Sequence, residues 1–371
     1  MVNNTLSPEE QKEIDAWNLQ GSEITDSTMR SFLPSWFANI RALIRSGIEI
    51  QSLELLTLRY DYKKSIIILG SGPSAVEITQ GLKRTPDMML LCGPTCLGTV
   101  LAASLRPDIV VVADSNVQQY EAVRDLDPDD IAQWHFALPI TASSAWYDKQ
   151  SILSPSQLYF YLPFMDFMGS GDLAYNDIQS CLFPEIHRYI KQAGSVGNTM
   201  MGISEMLCGE DASKRVYLGI DCCGWMTEIP RKRAPAAVKK LDGTYEMITS
   251  NLQKIQNEQA SVEALYIKTP YFDLETNIIS LGYALQMLFL VHQFTRSADR
   301  ADRYIMLAES SRLFTAISPE IIFPLTDICK ISPWQYLLST EDWAYNSMLD
   351  FIRVSNRHAE NLRKGVENAK S

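Results

Sequence analysis

The stretch Ser65 to Leu69 is a nearly continuous apolar run, dominated by β-branched side chains and stopped by a glycine. That is the pattern of a strand buried on both faces of a parallel sheet. Similar runs at Met88 to Cys92 and Ile109 to Ala113 predict a second and a third strand. Between them, Thr95 to Leu105 is rich in good helix formers and ends before Arg106-Pro107, where a proline discourages further helix. Strand, helix and strand with short links make a βαβ unit. Trp134 to Pro139 and Gln157 to Leu162 predict two more strands, Asn198 to Cys208 a helix, Asp211 to Lys214 a turn, Arg215 to Ile220 a strand, and Arg303 to Leu307 a last strand.

The flanks read differently. Residues 1 to 62 are predicted helical: Ser7 and Glu10 have the spacing of a capping box, and Trp36, Ile40, Leu43 and Ile44 recur at helical intervals. After Asp221 a polar, proline-containing stretch runs to about Pro235, long enough to suggest a lid or binding element. Helix is expected from Ser261 or earlier, again from Asn277 to Thr295, and in a tail from Pro333 to Ser371. The predicted fold class is α/β, a Rossmann-like, mostly parallel sheet with helical N- and C-terminal extensions. The corresponding organisation is an extension over 1–62, a donor-binding catalytic domain over 63–330 and a tail over 331–371.

Composition narrows the function. With 371 residues, 46% apolar and 21% charged, the chain can bury a sizeable core. A formal charge of −11 argues against broad wrapping of nucleic acid, which needs a cationic face to release counterions. Arg231, Lys232 and Arg233 still make a local basic run, read either as a groove or as a solvated loop. Seven cysteines without framework spacing fit a reducing, cytoplasmic compartment. Four histidines, no two at a metal-ligand interval, offer no zinc site. The apolar stretch Ile278 to Phe294 is short of a membrane span, and the first residues lack the form of a signal peptide.

The sharpest chemical feature is Gly70-Ser71-Gly72-Pro73-Ser74, directly after the first buried strand and just before a predicted helix. Glycines allow close backbone approach, and a helix N-terminus offers free N–H groups to phosphate oxygens. It is neither a Walker loop nor a complete dinucleotide fingerprint, so a phosphate cradle and an ordinary strand-to-helix turn both stay open. The third strand ends in Asp114-Ser115-Asn116, at the sheet edge where ligands of open α/β sheets bind. Asp114 there could hold Mg²⁺, accept a ribose hydroxyl, or cap the next helix. A second cluster, Gly194-Ser195-Val196-Gly197-Asn198-Thr199, opens the later helix, and the strand after it ends in Gly219-Ile220-Asp221, another carboxylate for the same edge. His187 is a candidate general base or a plain surface histidine. His135 and His292 read as packed side chains, and Met200, Met201 and Met206 as core filling.

Taken together, the Gly70 to Ser74 loop, Arg106 to Asp114, and Gly194 to Thr199 followed by Val216 to Asp221 resemble the 6-hydroxymethylpterin pyrophosphokinase-like family. Its core also occurs in the motility-accessory-factor glycosyltransferases. The small bacterial sialyltransferases are distantly similar through a Gly-x-Gly-Pro-Ser loop and a Gly-Ile-Asp strand end. Their catalytic histidine follows that strand, whereas here no histidine occurs between Asp221 and His292. The resemblance covers roughly residues 64 to 225. It implies a nucleotide or nucleotide-sugar donor, with Asp114 matching a carboxylate near the metal in the ATP- and Mg²⁺-dependent members. The leading expectation is a glycosyltransferase that moves a sugar to a hydroxyl on a glycan, a protein or a modified nucleic-acid base. The alternatives are pyrophosphoryl transfer from ATP to a pterin-like hydroxymethyl compound, and a non-catalytic nucleotide-binding protein.

Overall fold

A computed structural model describes residues 8–60, 65–72, 75–164, 171–191, 195–208, 214–220, 224–225, 236–240, 243–248, 265–268, 273–276 and 304–306. A long helix α1 (Pro8–Ser46) leads, through a 3-10 turn (Leu53–Leu56) and a short α2 (Thr57–Tyr60), into β1 (Ser65–Leu69). The order continues α3 (Ala75–Gly81), β2 (Met88–Cys92), α4 (Leu97–Ala102), β3 (Ile109–Val111), α5 (Gln118–Arg124), α6 (Pro128–Ile131) and β4 (His135–Pro139). Then come β5 (Leu158–Phe164), α7 (Gly171–Leu182), β6 (Tyr189–Lys191), α8 (Val196–Cys208) and β7 (Lys214–Leu218). Six short strands complete the described residues: β8 (Gly224–Trp225), β9 (Ala236–Lys239), β10 (Tyr245–Ile248), β11 (Leu265–Lys268), β12 (Asp273–Thr276) and β13 (Tyr304–Met306).

Eight strands form one sheet in the order β13-β7-β1-β2-β3-β4-β5-β6, and every pairing in it is parallel. The chain therefore starts in the middle, steps outward from β1 to β6, and returns to the other side of β1. Parallel strands buried on both faces require helices on both faces, and the alternation of side chains shows which helices they meet. Ile67, Leu69, Leu90, Cys92, Val110, Phe136 and Leu138 join one core with Ile40 and Leu43 of α1 and with residues of α4 and α5. The intervening positions, among them Ile66, Ile68, Met89 and Leu91, are equally buried. On that face α8 packs against β1 and β3 and supplies buried Met200, Met201, Ile203 and Met206. The methionines are core filling, as their sequence context suggests.

The Rossmann-like α/β prediction is realised, with several local corrections. The helix read over Thr95 to Leu105 is a 3-10 turn followed by the shorter α4, and Lys214 begins β7 rather than ending a turn. The elements predicted from the sequence include neither α7 nor β6. The stretch expected to become helical from Ser261 contains antiparallel β11 and β12, and β9 and β10 form a hairpin against α4. Ile44, which recurs at helical intervals with Trp36, Ile40 and Leu43, is 52% exposed, whereas those three are buried. The predicted helix over Asn277 to Thr295 and the tail from Pro333 lie outside the described residues. Among the described residues no helix is long and apolar enough to cross a membrane.

At the opposite edge from the candidate site, His135 opens β4 and is packed, as expected. Its Nε2 faces the Arg59 guanidinium and its Nδ1 lies 2.8 Å from the Tyr60 hydroxyl. A guanidinium only donates, so Nε2 is the acceptor and Nδ1 carries the proton. Burial, then the nearby Arg59 charge, lower the imidazole from its ordinary 6.5 to about 4. Between those values the unfolded chain binds a proton that the folded chain refuses, so stability falls as pH drops from 6.5 towards 4. His135→Gln is expected to flatten this acid-side loss in urea unfolding followed across that window. An unchanged slope would show that the imidazole is not held neutral.

Candidate functional site at the carboxyl edge of the sheet

The strand order reverses between β1 and β7, because β1 leads outward through α3 while β7 is reached from the far edge through α8. Such a reversal is where open α/β sheets form a ligand crevice beyond the carboxyl ends of their strands. Gly70 to Gly72 leave β1 there, and Gly219 and Ile220 leave β7 beside them.

The glycines serve the backbone first. The Gly70 N–H donates to the Leu218 carbonyl at 2.8 Å and the Gly72 N–H to the Gly219 carbonyl at 2.7 Å, extending the β1–β7 pairing beyond the strands. A Cβ on Gly70 would lie 2.5 Å from the Gly219 carbonyl oxygen. Gly219 has φ +63°, and a Cβ there would lie 2.7 Å from that of Ala75. Two of the amides expected to cradle phosphate are thus spent on β7. Ser71, at the turn between them, is the exposed one among the described residues of this loop. The Gly72 carbonyl accepts from Ala75 N–H at 3.1 Å and starts α3; Pro73 and Ser74 lie outside the described residues.

Asp114 is exposed at the same edge. Its Oδ1 accepts from Asn116 N–H at 3.0 Å, and Asn116 Oδ1 accepts from Gln118 N–H at 3.0 Å. These are side-chain turns ahead of α5, whose N-cap is Val117 without a side-chain bond, so Asp114 shapes the loop but does not cap that helix. Ser115 is held from outside the sheet: Trp36 Nε1 donates to its hydroxyl at 3.0 Å and Asn39 Nδ2 to its carbonyl at 3.3 Å. The same Asn39 amide donates to Thr141 O at 2.9 Å, tying the loops after β3 and β4 to α1. Sequence reasoning missed this clamp. Its signal was one asparagine set among the apolar positions of an amphipathic helix.

The second glycine cluster reaches the same edge. A Cβ on Gly93, the residue after β2, would lie 2.9 Å from Val196 Cγ1, so the first turn of α8 rests on that loop. Ser195 caps the helix: its hydroxyl accepts from Asn198 N–H at 3.2 Å, and its carbonyl accepts from Thr199 Oγ1 at 3.0 Å. Asn198 and Thr199 are fully buried, so their side chains pack inward instead of presenting themselves to a ligand as expected. Gly197 is buried as well. What α8 offers this edge is the positive end of its dipole. Gly194 and Asp221 lie outside the described residues. His187 does not join the group: it is exposed just before β6, at the amino edge of the sheet.

Among the described residues no three histidine, cysteine, aspartate or glutamate side chains gather into a metal-binding group. A Mg²⁺ at this edge would rest on the Asp114 carboxylate and on donor phosphates, a ligand set that Mg²⁺ commonly takes. Cys92 and Cys96 lie near the edge but are buried, and burial pushes both thiols up, Cys96 to about 12. They are thiols and not nucleophilic thiolates.

Gly70→Ala is expected to destabilise the protein by about 1–3 kcal/mol, because the new methyl meets the Gly219 backbone as well as the Ile220 side chain. Gly81→Ala is the control: nothing lies within 4 Å of its Cβ, and alanine there is expected to add up to about 1 kcal/mol. Urea unfolding of both variants checks the contrast. Gly93→Ala is expected to cost about 1–3 kcal/mol, and Val196→Ala in the same chain to return part of it. Purely additive losses would show that α8 does not rest on that loop.

No family model and no curated protein matches this chain. Among solved structures it is similar to a MAf glycosyltransferase from Magnetospirillum magneticum AMB-1, with 11% sequence identity and a TM-score of 0.30. The match covers 84% of this chain and 59% of that one, so this chain spans about three-fifths of that protein's length.

Proposed function

We infer that this chain is a transferase that binds a nucleotide-activated donor at the β1/β7 crevice, and that the donor is a nucleotide sugar. The observation that carries the reading is the reversal of strand order at β1/β7. Exposed Ser71 stands over that crevice, and the mouth of α8 and the Asp114 carboxylate lie along the same edge. A diphosphate is the ligand such an edge suits. Helix dipoles and the Ser71 turn offset its charge, and a departing nucleoside phosphate gains the same stabilisation as its bond to the sugar breaks.

Asp114 is the described carboxylate placed to draw a proton from an acceptor hydroxyl or to hold Mg²⁺ against the donor; Asp221, next along the chain after Ile220, is the second candidate. His187 is left out of this scheme by its position. The Trp36 and Asn39 contacts hold the Asp114 loop, which gives α1 a part in the site. The acceptor is a hydroxyl of a glycan, a protein or a modified base. The Arg231 to Arg233 run is where a nucleic-acid acceptor would touch.

Thermal melting with CMP-, UDP- and GDP-sugars and with ATP, each with and without Mg²⁺, tests the reading. A nucleotide sugar is expected to raise the melting temperature and to be turned over. Ser71→Glu is expected to weaken that binding at least tenfold through charge repulsion, with little change in the unliganded melting temperature. ATP consumption without sugar turnover would replace this reading with pyrophosphoryl transfer. No ligand response from any nucleotide would overturn both.

A further inference from the structure

Helix α1 has two apolar stripes in its second half, and only one of them meets the core. Ile40 and Leu43 join the core, and Trp36 is buried against the Ser115 loop and Tyr175 of α7. Pro34, Phe37, Arg41 and Ile44, at the same helical spacing on a different face, line a groove of about 510 Å³ closed on its other side by Leu182 of α7. Phe37 is 41% and Ile44 52% exposed, and Leu182 with its neighbour one turn back, Ile178, is similarly open. Isolated exposed apolar residues are ordinary on a protein surface. A contiguous set lining a groove between two helices is a place where a partner can dock.

The sequence of the same helix supplies an occupant. Over 8–27 it contains Glu9, Glu10, Glu13, Asp15, Glu23 and Asp26 against Lys12 alone; over 28–46 it contains three arginines and no acid. At 1.5 Å per residue its 39 residues span about 58 Å, so the acidic half runs well beyond the groove. Charges so ordered also suit the helix's own dipole, which by itself would call for no partner. The spacing adds something the dipole does not require. Glutamates at 9 and 13 and arginines at 41 and 45 share the interval of four, and an antiparallel alignment centred on residue 27 pairs 9 with 45 and 13 with 41. The same register sets position 17 opposite position 37.

We propose that the groove between α1 and α7 is filled by the acidic half of α1 from a second copy of this chain, making a two-fold antiparallel dimer. The interface is isologous: each copy offers an acidic half and a basic, apolar groove, and both are used at once. The inference is independent of the donor site and stands or falls without it.

Analytical ultracentrifugation of the full-length chain at micromolar concentration tests this. The wild type is expected to sediment as a dimer and Ile44→Asp as a monomer with unchanged far-UV circular dichroism. The decisive arm uses charge reversal. Arg41→Glu/Arg45→Glu and Glu9→Lys/Glu13→Lys are each expected to lose the dimer, and an equimolar mixture of the two to regain it, since every reversed pair is then again opposite in sign. A monomeric wild type, an Ile44→Asp protein that still dimerises, or a mixture that stays monomeric would each overturn the proposal.

Discussion

The close approach of Gly70 to Gly219 is the contact on which the rest of this architecture turns. Two backbone hydrogen bonds join the turns beyond β1 and β7, and no side chain larger than hydrogen fits between them. That weld fixes the place where the outward and returning halves of the sheet meet. It sets the start of α3 through the Gly72 carbonyl and leaves Ser71 at the rim of the crevice. Two glycines far apart in sequence are required for one geometric reason, and the candidate edge is built on the result.

Around this point the structure spends its polar groups on shaping loops. Asp114 and Asn116 shape the turns ahead of α5, Ser195 caps α8, and Asn39 ties two loops to α1. Each of these residue types can also touch a ligand, which is why sequence motifs of this kind are ambiguous. Ser71, Asp114 and Asn116 remain open to solvent at the edge. A buried ion pair marks the sheet beneath it: Arg215 of β7, 1% exposed, meets Glu205 of α8 at 2.9 Å and joins the returning helix to the strand it feeds. Such a pair contributes more to orientation than to net stability.

Much of the fold was legible because buried parallel strands write long apolar runs, as at Ser65 to Leu69 and Met88 to Cys92. The βαβ start, α8 and the last strand of the sheet followed from the same signal. What stayed hidden has physical causes. Strand β6 is only Tyr189–Lys191 at the sheet edge, too short for a period to show. Strands β11 and β12 gain their stability from pairing with each other, which propensity along the chain does not record. That Gly70, Asp114 and Gly219 share the carboxyl edge of the sheet was legible from their places at the ends of predicted strands. The inward turn of Asn198 and the distance of His187 were not, since both depend on which way the sheet winds. The second apolar stripe of α1 escaped for a related reason: Ile44 fits the helical period, but the period alone does not say which of two faces meets the core.

The central claim is that an anionic donor rests on the β1/β7 crevice. A crystal of the protein soaked with a nucleoside diphosphate tests it most directly. The account predicts density for the diphosphate within hydrogen-bond distance of the Ser71 amide or hydroxyl, along the edge shared with α8 and Asp114. Diphosphate bound at the amino edge of the sheet, or a crevice filled by side chains that exclude it, would contradict the account.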